Sequence, residues 1–112
     1  MSPTELQKKL AVLRQSFLSG LPDREAEIED LTATLLEHGP QTAALEKLYF
    51  ASHRLSGISD TYGFQKLGEL ARRSETLLEP MRHALPNRVQ FDTILLVTDD
   101  LSEELNQLID AA

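Results

Sequence analysis

The chain has 112 residues, with 11 basic side chains against 18 acidic ones, a net charge of −7 and 41% apolar residues, as expected of one globular domain with a modest core. That charge opposes a polyphosphate backbone, so no nucleic-acid partner is expected. The lack of cysteine excludes disulfides, a thiolate nucleophile and Cys-based zinc, and no apolar run approaches the roughly 20 residues that span a bilayer.

In chain order, every element reads as a helix. Leu6, Leu10, Leu13 and Phe17 recur at spacings of four, three and four, which predicts a helix over 3–19 with one apolar stripe. Ser2, Pro3 and Glu5 mark its start, as a hydroxyl cap, a first-turn proline and a carboxylate reaching back, and Gly20 ends it. The second helix, 22–38, opens at Leu21-Pro22-Asp23 and carries Ile28, Leu31, Leu35 and Leu36. Gly39-Pro40 stops it, the glycine suited to a left-handed cap. The third, 41–62, has Leu45, Leu48, Ala51, Leu55, Ile58 and Tyr62 inside and breaks at Gly63.

The fourth helix, 64–79, carries Phe64, Leu67, Leu70, Ala71, Leu77 and Leu78, and a loop or frayed turn spans 80–86. Asn87 and Gln90 form a capping pair for the last helix, 88–110, with Phe91, Ile94, Leu95, Leu101, Leu105 and Leu108 inside. Alternation of period two is lacking, so no strand is expected. The prediction is a single all-α domain over 1–112: an antiparallel up-and-down four-helix bundle, with the first helix as a cap or side helix.

A wheel of the third helix finds the residue that could carry chemistry. With Leu48 at the centre of the buried stripe, Leu55 lies about 20° away, Tyr49 about 100°, His53 about 140°, Gly57 about 180° and Phe50 about 200°. His53 therefore faces water. A helix-interior glycine costs roughly 0.5–1 kcal/mol, and nothing in bundle packing requires one at Gly57. Close approach of another surface to the imidazole is the simplest reason, with Tyr49 and Phe50 as docking residues. The opposing reading is an ordinary exposed histidine beside a helix end.

The run His53-Arg54-Leu55-Ser56-Gly57-Ile58-Ser59-Asp60-Thr61-Tyr62-Gly63-Phe64, followed by Leu67 and Leu70, resembles the signature of histidine-containing phosphotransfer (HPt) domains. The matching positions are His53, Leu55, Gly57 and Gly63, with small Ala71 on the next helix below the histidine. The resemblance implies a phosphocarrier of a two-component phosphorelay that exchanges a phosphoryl group on His53 with aspartates of receiver domains. Those receivers belong to response regulators or hybrid histidine kinases. Where many members carry lysine three places after the histidine, this chain has Ser56; Arg54 or Lys66 could supply charge instead. Glu75, where the family often has Gln or Glu, could orient the ring. An ordinary solvated charge is the competing reading of Arg54, Lys66 and Glu75.

No glycine-rich phosphate loop and no carboxylate cluster for magnesium stand out, so the chain is expected to have no kinase or ATP site and no cofactor, with magnesium on the receiver. The three histidines lack metal-ligand spacing, and His38 reads as a helix C-terminal cation. A cytoplasmic monomer without membrane insertion is expected. The alternative is a helical interaction module that binds a receiver or kinase without being phosphorylated.

Overall fold

The computed structural model describes residues 2–112; residue 1 of the predicted 1–112 domain lies outside the described residues. Five α-helices run Pro3–Ser19 (α1), Leu21–His38 (α2), Thr42–Ile58 (α3), Gln65–Leu78 (α4) and Arg88–Ala111 (α5). Two 3-10 turns, Asp60–Tyr62 and Glu79–Arg82, follow α3 and α4. No strand occurs among the described residues.

Local chemistry sets the helix ends. Ser2 Oγ accepts the Glu5 N–H at 3.2 Å, with Pro3 in the first turn of α1. Gly39 takes φ 77°, the left-handed backbone that stops α2. Asn87 and Gln90 close a reciprocal capping box on α5, at 2.8 and 2.9 Å. The third helix is shorter than the predicted 41–62. It stops at Ile58, where the Ser59 hydroxyl bonds the Leu55 carbonyl and the chain tightens into a 3-10 turn ending at Gly63, φ 86°.

Contacts run α2 to α3, α3 to α4, α4 to α5 and α5 back to α2, which closes an antiparallel four-helix bundle. Its centre holds Ile28, Leu35, Leu48, Leu55, Leu67, Leu101 and Leu105, all buried, each side chain contributing roughly 1.5–3 kcal/mol on transfer from water. Leu36, predicted on the inner stripe of α2, is exposed instead, because it lies about 100° round the helix from Leu35.

The first helix is the additional N-terminal helix expected, but it extends α2 and covers the bundle end only with its C-terminal part. There Arg14 donates to the Tyr62 carbonyl at 3.2 Å and lies over the Phe64 ring. Gly20 keeps right-handed helical backbone (φ −86°, ψ −8°) and donates to the Ser16 and Phe17 carbonyls, so α1 runs on into α2. Laid end to end, α1, Gly20 and α2 come to about 54 Å, and the molecule's long axis is 52 Å. Every residue from 2 to 16 is exposed. Of the predicted stripe only Phe17 is buried, its ring 5.4 Å from that of Tyr62 and 5.6 Å from that of Phe64. Leu6, Leu10 and Leu13 face solvent because the bundle ends below them.

Candidate functional site

Antiparallel packing of α3 on α4 brings two polar layers together. Inside, Ser52 and Ser74 are buried and their hydroxyls meet at 2.9 Å. Ser52 also donates to the Leu48 carbonyl at 2.9 Å, so its single proton is used there and Ser74 donates to it. One residue further along each helix, at the surface, His53 Nδ1 lies 2.7 Å from Glu75 Oε1. The other Glu75 oxygen accepts the Ser56 hydroxyl at 2.6 Å.

The His53 side chain is 58% exposed, as the wheel requires. An ionised carboxylate only accepts hydrogen bonds, so in the neutral ring Nδ1 carries the proton and the lone pair is on Nε2. Burial works to raise the Glu75 pKa, but the hydrogen bonds from Ser56 and His53 and the charges of His53 and Arg72 outweigh it and hold the carboxyl below its usual range. Glu75 therefore stays a carboxylate at neutral pH. It fixes the tautomer, and it faces any positive charge that the ring gains.

Gly57 sits one turn further along α3, exposed, and a Cβ built there meets nothing within 4 Å. Fold-internal packing gives no reason for glycine at this place. Ala71, one turn before Glu75 on α4, is fully buried in the bundle core, which lets α3 and α4 approach.

Three predicted contacts need correction. Tyr49 is only 8% exposed and is no part of an outward docking face. Its ring stacks on the His53 ring at 6.0 Å and 11°, and the Arg82 guanidinium covers it at 4.6 Å. The wheel put it at the edge of the buried stripe, and the 3-10 turn after α4 closes over that edge. Arg54 turns away from the imidazole to Glu27 on α2, at 3.3 and 3.4 Å, since it lies about 100° beyond His53 on the wheel. Lys66 pairs with Glu104 on α5 at 3.7 Å. It stands nine residues before Glu75, about 13 Å along the helix, so it reaches neither imidazole nor phosphate.

Phe50 is where the wheel puts it, 38% exposed, edge-on to Tyr49 at 5.2 Å and under Arg82 at 5.0 Å. Sequence reading missed Arg82, because an arginine arriving from an irregular turn has no periodic signal. It also missed the Ser52–Ser74 pair, whose only trace is a serine at an inward position on each of two facing helices. Arg72 closes on Asp60 at 2.6 Å. Gly68 makes room for that pair, since a Cβ there would overlap the Asp60 carboxylate.

Among the described residues no group of three or more His, Cys, Asp or Glu is placed to hold a metal ion, and no helix is long and apolar enough to cross a membrane.

The Hpt domain model matches residues 12–112, and the chain belongs to the Hpt domain family. Such domains act in phosphorelays as phosphotransfer modules without kinase activity of their own, and engage receiver domains and histidine kinases. No curated protein and no solved structure matches the chain.

Proposed function

We propose that this chain is a phosphocarrier in which His53 Nε2 accepts a phosphoryl group from a receiver-domain phospho-aspartate and passes it to another receiver aspartate. The observation that carries the reading is the bond from His53 Nδ1 to Glu75, 2.7 Å long, on a ring whose other edge faces solvent. Nε2 gives its lone pair to phosphorus as the acyl phosphate P–O bond breaks and the aspartate leaves as carboxylate. The Nδ1 proton stays on the ring, which becomes a phosphoimidazolium, and the Glu75 carboxylate faces the new charge.

In-line positioning and charge neutralisation supply most of such a transfer. This chain contributes the oriented ring and, at Gly57, room for the partner's backbone. The receiver contributes magnesium and its own cationic groups. Phe50 and Arg82 form the rim on which a receiver rests, with Tyr49 as the support beneath.

The test mixes the protein with a panel of receiver domains charged by a small phosphodonor. Label is expected to move to this chain, to be acid-labile and base-stable, and to vanish in His53→Gln with the helical signal and melting transition retained. Label that survives in His53→Gln would place the site elsewhere. Binding without label would favour a non-phosphorylated interaction module.

A further inference from the structure

We infer that Arg82 is a positioning residue for the proposed transfer: through the Tyr49 ring it fixes the plane of the His53 imidazole, and so the direction in which Nε2 points. The inference rests on the phosphocarrier reading and adds to it a residue that acts through another side chain.

The bond to Glu75 holds one corner of the imidazole and leaves its tilt open. A hydrogen bond keeps most of its strength over about 30° of donor angle, and the second side-chain torsion of histidine is broad. Rocking about Nδ1 therefore displaces Nε2, and a displacement of about 1 Å at a reacting group costs on the order of 100-fold in rate. A second contact is needed to set the plane. Tyr49 supplies it from one turn back on α3, where side chains four residues apart meet. The two rings lie within 11° of parallel, their centres 6.0 Å apart.

Tyr49 is itself held by a cation. Phe50 meets it edge-on, and the Arg82 guanidinium lies 4.6 Å from the centre of the Tyr49 ring and 5.0 Å from that of Phe50. Hydrogen bonds do not account for that placement. Arg82 Nε is buried without an acceptor, which costs stability. Among the described residues the one carboxylate within 4 Å is Glu79, at 3.8 Å, too far for a hydrogen bond. The rings account for it, because a guanidinium is flat, weakly hydrated and stacks on aromatic faces. The turn that delivers it is anchored, since its neighbour Met81 is buried in the core. Contact thus runs from the Glu79–Arg82 turn through Tyr49 to the imidazole.

Charge at this place is not sufficient for the role. Lysine brings the same charge as a compact, strongly hydrated ammonium without a flat face, and it would leave the rings for water.

The test uses the full chain and two readouts. In nuclear magnetic resonance spectra of the unphosphorylated protein, the ring protons of His53 feel the ring current of Tyr49. Their shifts are expected to move in Arg82→Gln and Arg82→Lys towards those of Tyr49→Leu, while both Arg82 variants melt close to wild type. The second readout is single-turnover labelling of His53 by phosphoramidate, a donor too small to need docking. Both Arg82 variants should be slower by at least about tenfold, and Arg82→Gln should slow Tyr49→Leu by less than about twofold further. Unchanged His53 shifts in both Arg82 variants would overturn the inference, as would Arg82→Lys labelling at the wild-type rate. So would a normal phosphoramidate rate with slower transfer from a receiver alone, which makes Arg82 a docking residue only. A wild-type chain that takes no label from either donor would overturn the phosphocarrier reading and the positioning role with it; unchanged shifts with normal labelling overturn the positioning role alone.

Discussion

Glu75 is shared by His53 and Ser56: one carboxylate oxygen lies 2.7 Å from the imidazole Nδ1 and the other takes the serine hydroxyl at 2.6 Å. The Ser56 hydroxyl also lies 2.9 Å from the His53 carbonyl oxygen, a second acceptor for the same proton. Removing Glu75 should therefore release the ring and leave the Ser56 hydroxyl on the His53 carbonyl. Glu75→Ala is expected to slow phosphoryl transfer to His53 about 10- to 100-fold, and Glu75→Gln, which can still accept from Nδ1, by less. Ser56→Ala should change the rate by less than either. Single-turnover transfer from one phosphorylated receiver measures all three.

The same carboxyl makes part of the stability pH-dependent. Its folded pKa lies below the unfolded value of 4.5, so its contribution is complete above that value and is lost as pH falls through the lowered one. Urea midpoints of wild type and Glu75→Gln should differ most above the ordinary carboxylate range and converge as pH falls through the lowered pKa. A gap that widens on acidification would mean that the carboxyl is held above its usual range instead.

Gly57 separates folding from transfer. Its Cβ position is open and it is one residue from the end of α3, so Gly57→Ala should stabilise the bundle by about 0.5 kcal/mol, the low end of the helix-propensity gain. Gly57→Gln should fold as well as wild type but obstruct the partner and slow transfer at least about tenfold. Thermal melts and transfer rates on the same preparations check both halves.

The buried serine pair should respond asymmetrically. Ser52→Ala removes the acceptor of the Ser74 hydroxyl, which is then buried without a partner, at a cost of about 1–3 kcal/mol. Ser74→Ala leaves the Ser52 proton on the Leu48 carbonyl and should cost about 1 kcal/mol or less. The double variant should be no worse than Ser52→Ala alone, and a double-mutant cycle in urea measures the coupling.

Periodicity carried most of the bundle, because helices that pack in a ring bury the residues their spacing aligns. It also put His53 on the outer face, since a wheel angle near 140° falls outside any stripe that a neighbour can cover. Tyr49 shows the limit: at about 100° its burial depends on Arg82, which arrives from a turn with no period. Leu6, Leu10 and Leu13 show another. Spacing tells which residues share a face but not whether anything stands opposite, and here the bundle stops one turn short. Arg54 and Lys66 read from sequence as free charges, whereas their partners Glu27 and Glu104 come from helices that only tertiary structure brings near.

The arginines around the imidazole are already engaged within the fold: Arg54 with Glu27, Arg72 with Asp60, Arg82 over Tyr49 and Phe50. On the proposed role, a phosphoryl dianion on Nε2 would lie on the ring edge away from Glu75, and recruiting a counter-charge from these arginines would mean breaking one of these contacts. Without a free cation from these side chains, the phosphorylated form gains little stabilisation from the chain itself. On the proposed role, such a carrier holds its cargo briefly and hands it on downhill, which suits rapid throughput better than long storage of a signal.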